Sequence, residues 1–297
     1  MVNSVKTLSS LALLATSAFN GAMAAKPSSG CGKTPTLTGS PSSTPHNLTT
    51  TNGKARRFYL NIPATYDKSH PYRLILTLHA LGGTASQVVA GTGGYYPWYG
   101  IPALVPTNDT VGVIYVAPDG LNNGWANQGG EDVAFVSQVI KAVEDDLCVD
   151  QNLRFSTGFS YGAAMSYSLA CSLGEEIRAV AVLSGNPQIS GCAGAASAPV
   201  AYYGQHGVSD TVLPMAGGRE MRDRFVRNNG CAPMQNVREP APGSGASHTR
   251  NVYEGCKQDK PVVWVAFDGP HTPTPKDGGA SQSFSPQETW QFFSQFK

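Results

Sequence analysis

Strand-length apolar runs recur along the chain at Arg73–His79, Val111–Ala117, Leu153–Thr157, Ala179–Ser184, Pro199–Gln205 and Pro261–Phe267. Several are hydrophobic almost without a break. A strand with one face in water alternates apolar and polar residues, so an unbroken run calls for a parallel strand covered on both faces. The covering elements lie between the runs. Val133, Val136, Ile140, Val143 and Leu147 recur at three- and four-residue steps and predict a helix from Glu131 to Leu147. A second helical pattern follows Ser160, with Leu169, Leu173 and Ile177 on one side. A third spans about Arg219 to Asn228 and stops before Gly230. A last one opens at Ser285-Pro286-Gln287-Glu288, which reads as a capping box with Pro at the first helical position, and ends near Phe296. Alternation of this kind implies an α/β fold built on a doubly wound, mostly parallel sheet. Upstream, Asn52-Gly53 between Leu48–Thr51 and Arg57–Ile62 is a hairpin signal that adds an N-terminal β region. No linker divides residues 25–297, which are expected to form a single domain.

Residues 1–24 read as a signal peptide: Lys6 gives a positive start, Leu11 to Phe19 form a short apolar run, and Ala22-Met23-Ala24 is an A-x-A cleavage signal. The apolar run is too short to span a bilayer, so the expectation is a secreted, extracellular protein. All six cysteines lie beyond this segment, which implies up to three disulfides. Cys231 and Cys256 bracket a Pro/Gly-rich excursion and are the expected local pair. There is no C-x-x-C spacing, and neither a metal nor a cofactor is expected. Asn47-Leu48-Thr49 and Asn108-Asp109-Thr110 are N-glycosylation sequons. The formal net charge is +1, falling to zero once Lys6 is removed, and only 14% of residues are charged. Without a basic stripe, neither nucleic acid nor an anionic membrane surface is an expected partner. A monomer suited to neutral partners is the corresponding expectation.

Gly158-Phe159-Ser160-Tyr161-Gly162 has the G-x-S-x-G pattern of a nucleophile elbow. Its placement makes the pattern specific, because a strand-like run leads in and a helical pattern leads out. The glycines allow the turn to close without a Cβ clash, and the helix N-terminus behind Ser160 favours negative charge beside it. A serine hydroxyl needs a base to take its proton and an acid to orient that base. In this fold the acid and then the histidine follow the serine. His271 lies in the loop after Pro261–Phe267, at the strand end where catalytic groups of open α/β sheets collect. His248 sits among Gly and Ser with no strand expected to fix it. Asp210 follows the run Pro199–Gln205 and is positioned to orient His271. Asp119 and Asp132 precede Ser160, against the chain order, and Asp132 is read as a helix cap; His206 is read as satisfying backbone groups. The loop His79-Ala80-Leu81-Gly82-Gly83 follows another strand and suits an oxyanion hole, with the N–H groups of Leu81 and Tyr161 as donors. His79 is read as fixing that loop.

Taken in order, Cys31-Gly32-Lys33, Pro118-Asp119-Gly120-Leu121, Gly124-Trp125-Ala126-Asn127, Thr157–Gly162, Gln205-His206-Gly207 with Asp210, and Pro270-His271 make the chain resemble the fungal feruloyl esterases of types C and D, carbohydrate esterases related to polyhydroxybutyrate depolymerases. The resemblance covers essentially all of residues 25–297. It implies an α/β-hydrolase fold and hydrolysis of ferulate esters of arabinose or galactose in feruloylated arabinoxylan and pectin. It also implies Ser160 as nucleophile, Asp210 as acid and His271 as base. One departure is Ala80, where related enzymes often carry Gly. A ferulate ring calls for a flat apolar slot, and Trp125, Tyr96 and Trp98 are the expected walls. Two other functions share the scaffold's chemistry or surface. One is an acetylxylan esterase or polyester depolymerase; the other is a carbohydrate-binding protein without catalysis.

Overall fold

The computed structural model describes residues 24–39, 44–192, 198–245 and 247–297. The expected signal peptide, Ala24 apart, lies outside them. Nine strands make one sheet in the order β1-β2-β4-β3-β5-β6-β7-β9-β8. Strands β3 (Tyr72–Leu78), β4 (Val113–Pro118), β5 (Val149–Phe159), β6 (Ala179–Leu183), β7 (Ala201–Gly207) and β9 (Val262–Phe267) run parallel. The hairpin β1 (His46–Thr49) and β2 (Ala55–Asn61) adds antiparallel strands at one edge, and β8 (His248–Val252) closes the other.

The unbroken apolar runs have the expected cause. In β3, Leu74, Leu76 and Leu78 belong to the core on one face of the sheet and Ile75 to the core on the other. Helices α2 (Glu131–Asp146), α3 (Tyr161–Ser172) and α5 (Met215–Asn228) cover the first face through Phe135, Ile140, Met165, Tyr167, Met221 and Phe225. Helices α1 (Ala85–Ala90) and α6 (Ser285–Ser294) cover the second through Val88, Val89, Trp290, Phe292 and Phe293. The short α4 (Pro187–Ser190) packs between α3 and α5.

Several local expectations change once tertiary contacts are present. Ser285 does not cap α6; its Oγ is spent on the buried Gln205 side chain, 2.9 Å from Oε1. Asp132 does not cap α2 either. It is buried in an ion pair with Arg56 at 2.8 Å, and the Asn127 amide oxygen takes the Asp132 and Val133 N–H groups, both at 3.1 Å. Helix α3 ends at Ser172, so Ile177 lies beyond it. Helix α5 starts a turn early, at Met215, where Gly217 and Gly218 conceal the helical pattern. Gly218 is needed there, since a Cβ would meet His206 Nδ1 at 2.4 Å.

Three disulfides join Cys31 to Cys148, Cys171 to Cys192, and Cys231 to Cys256. The first spans 117 residues and ties the N-terminal segment to the start of β5. Closing a loop of that length removes about 4–5 kcal/mol of chain entropy from the unfolded state. Replacing Cys31 and Cys148 together by Ser is expected to lower stability by a comparable amount, read as a fall in thermal midpoint. A shift as small as that of a surface substitution would contradict this.

Candidate active site

Four parallel strands of the sheet, β3, β5, β7 and β9, end at the same edge and hand over to the loops that build the site. Strand β5 ends at Phe159 and turns directly into α3 through Ser160, whose φ of 55° and ψ of −115° are unusual for a residue with a side chain. Such strain is the price of holding a side chain at the tip of a sharp turn. Two contacts hold it: Ser160 N–H donates to Leu183 O at 3.0 Å, and Ser160 O accepts from Ala164 N–H at 3.0 Å. The flanking glycines are sterically required. A Cβ on Gly158 would lie 2.4 Å from the Gly162 backbone, and one on Gly162 would lie 2.2 Å from Leu78 O.

After β7, the chain turns back so that Asp210 is buried under the loop that follows β9. Its Oδ2 accepts from His271 Nδ1 at 2.6 Å, with His206 Nε2 3.3 Å away. Its Oδ1 accepts from the N–H groups of Val212 at 2.9 Å and Leu213 at 2.8 Å. Burial alone would push the Asp210 carboxyl up. The hydrogen bonds from His206, His271 and Leu213 N–H, with the His271 charge, outweigh it and hold the group far below the ordinary carboxylate range. The His271 ring lies against Phe159, the residue before Ser160, with centroids 4.5 Å apart. The structure thus brings Ser160, Asp210 and His271 to one edge of the sheet. His206 does more than satisfy the backbone. It is buried, bonds Leu213 O at 2.7 Å, and adds a second imidazole to Asp210.

The loop after β3 is fixed from below. His79 is fully buried; its Nδ1–H donates to Ala80 O at 2.8 Å and its Nε2 accepts from Gly120 N–H at 2.9 Å. Burial pushes its imidazole below the ordinary histidine range, which favours the neutral form that can make both bonds. Tyr95 hydroxyl takes the Ala80 N–H at 2.8 Å, and Gly82 N–H reaches Asn123 O at 2.8 Å. Between them Leu81 N–H has no acceptor among the described residues, and neither has Tyr161 N–H at the start of α3. The two residues meet at Gly124, where a Cβ would touch Tyr161 at 3.0 Å and Leu81 at 3.3 Å. The Leu81 side chain is 69% exposed, unusual for a large apolar residue.

The aromatic residues divide differently from expectation. Trp125 is completely buried; its Nε1–H donates to His79 O at 2.8 Å and its ring leans on the His79 ring at 4.9 Å. Trp98 is buried on the opposite core beside Tyr115. Neither presents a face to a ligand in this structure, because each side chain is consumed in packing. Tyr96 is half-buried and lines a small crevice with Thr274 and Pro286. Tyr99, next to Trp98 in the chain, bridges β3 and β5. Its hydroxyl donates to Leu78 O at 2.6 Å and accepts from Phe159 N–H at 3.0 Å. His248, expected to be a solvated loop residue, instead opens β8 and bonds Asp277 at 2.8 Å; polar residues on an edge strand concealed it.

The architecture is that of the α/β-hydrolases. A solved ferulic acid esterase superposes with a TM-score of 0.57, over 86% of this chain and 98% of its own, at 16% identity, which is a likeness of fold. No family model matches the chain. Full-length relatives carry the assignment further. Feruloyl esterase D of Neurospora crassa is 51% identical over 293 residues, 97% of each chain. Feruloyl esterase C of Emericella nidulans is 47% identical over 281 residues, 95% of this chain and 96% of its own. The chain belongs to the fungal feruloyl esterases and is a carboxylic-ester hydrolase.

Proposed function

We propose that this protein hydrolyses ferulate esters of arabinose or galactose on plant cell-wall arabinoxylan and pectin through an acyl-enzyme formed on Ser160. The observation that carries the reading is the 2.6 Å Asp210–His271 bond beside the strained Ser160 turn. Asp210 accepts a hydrogen bond from the His271 Nδ1–H and keeps the proton on that nitrogen, which leaves Nε2 as the basic nitrogen. Ser160 Oγ attacks the ester carbonyl while His271 accepts its proton. The carbonyl oxygen gains negative charge, and the unspent N–H groups of Leu81 and Tyr161 suit that charge. The tetrahedral centre collapses as His271 returns the proton to the departing sugar alkoxide. Water, deprotonated by the same imidazole, then cleaves the feruloyl ester on Ser160 and releases ferulate.

The same reading takes residues 1–24 as a signal peptide and the protein as secreted and monomeric, with glycans at Asn47 and Asn108. Three disulfides support an oxidising compartment. The deciding experiment compares turnover of methyl ferulate, caffeate, p-coumarate and sinapate with that of acetylated xylan and polyhydroxybutyrate. The expected result is a kcat/KM for the hydroxycinnamates well above that for acetyl or hydroxybutyrate esters. A preference for acetylated xylan would reassign the substrate while keeping the chemistry.

A further inference from the structure

With Trp125 and Trp98 buried, the aromatic acyl group has to be held by other residues. A cavity of about 300 Å³ opens between the loop after β3 and the His271 loop, lined by Leu81, Gln87, Gly93, Tyr95, Phe159 and Pro273 among others. Leu81 and Phe159 connect it to the reacting centre, one in the oxyanion loop and the other preceding Ser160. No charged side chain lines it, which suits a neutral aromatic ring.

Gln87 supplies a polar end to this cavity, and its orientation is determined. Thr84 N–H donates to Gln87 Oε1 at 3.0 Å, and Thr84 Oγ1 accepts from Gln87 N–H at 3.3 Å; together they cap α1. A backbone N–H can only donate, so the atom it meets must be the amide oxygen, and the NH2 group is fixed on the far side. There Nε2 faces Gly93, where a Cβ would come within 3.1 Å of it. Nε2 donates to no described residue. Tyr95, on the same cavity, accepts the Ala80 N–H on its hydroxyl oxygen and keeps its own O–H proton as a second donor beside Gln87 Nε2.

We propose that Gln87 is a specificity-determining residue: its Nε2 donates a hydrogen bond to the ring oxygens of the bound hydroxycinnamoyl group, so that oxygenated rings are preferred over bare ones. The inference rests on the Ser160 esterase reading above and adds where the ring lies and what reads it.

The test uses two esters that differ only in ring oxygens which can accept but not donate, methyl 3,4-dimethoxycinnamate and methyl cinnamate. In the Gln87→Glu variant a carboxylate oxygen can still accept the Thr84 N–H, because Glu serves the capping position as well as Gln. The other oxygen then opposes the methoxy oxygens in place of a donor. The ratio of kcat/KM for the dimethoxy ester to that for the cinnamate should fall about tenfold from wild type to Gln87→Glu, the scale of one lost hydrogen bond. Gln87→Ala should lower the ratio in the same direction. A purely structural role for Gln87 would slow both esters together and leave the ratio where it was. An unchanged ratio, with both esters still turned over, overturns the role of Gln87 alone. Failure of the wild-type enzyme to hydrolyse either ester would instead overturn the reading on which it rests.

Discussion

Ser160→Ala is expected to cut turnover of methyl ferulate by on the order of a millionfold, the scale seen when a triad serine is removed. The size follows from the mechanism. On the proposed mechanism no acyl-enzyme can form without Oγ, and what survives is direct attack by water, helped only by binding and by the Leu81 and Tyr161 amides. The fold should not suffer. The Ser160 side chain makes no capping hydrogen bond to α3, and the turn is held through its backbone and through Gly158 and Gly162. Ala has the same Cβ as Ser and meets no new atoms in that backbone conformation. The measurement pairs a rate assay with thermal unfolding. A near-native midpoint with the rate abolished supports the assignment. Appreciable hydrolysis by a folded Ser160→Ala protein would remove Ser160 as nucleophile.

The parts of this molecule that could be read from sequence are those governed by local pattern or by chain order. The six central strands declare themselves because both faces are buried, and β3 divides its leucines and Ile75 between two cores. Ser160, Asp210 and His271 could be nominated because each follows a strand in the order this fold uses. What could not be read depends on which neighbour claims a side chain. Ser285 and Asp132 have the composition of helix caps, but Gln205 and Arg56 claim them. Trp125 occupies a loop at the reactive edge, where an aromatic ring suggests a substrate wall, yet its indole is spent holding His79. Helix α1 is too short for a periodic signal. Its Thr84-x-x-Gln87 capping box ahead of Val88-Val89 is nevertheless legible by the rule applied, less correctly, at Ser285.

Asp210→Asn isolates the role of the carboxylate in holding His271. The substituted amide keeps an oxygen for the Val212 and Leu213 N–H groups, so the loop after β7 retains its backbone contacts. What it cannot do is accept the His271 Nδ1 proton while presenting NH2 to that nitrogen. The imidazole is then driven to the other tautomer, with the proton on Nε2, where no base remains for Ser160. The expected loss in kcat is about 10⁴-fold, with a much smaller change in KM. The same substitution has a signature in stability. The folded-state Asp210 carboxyl is depressed, chiefly because hydrogen bonds from His206, His271 and Leu213 overcome the cost of burial. A depressed carboxylate stabilises the fold above its unfolded value of about 3.9, and that contribution disappears as pH falls through the folded value. Wild type should therefore exceed Asp210→Asn in stability near neutral pH, and the gap should narrow as pH drops below about 4. Denaturant unfolding at a series of pH values measures it. A gap independent of pH would show that the ionised carboxylate is not what the site stabilises. A wild-type kcat in Asp210→Asn would show that His271 is oriented by something else.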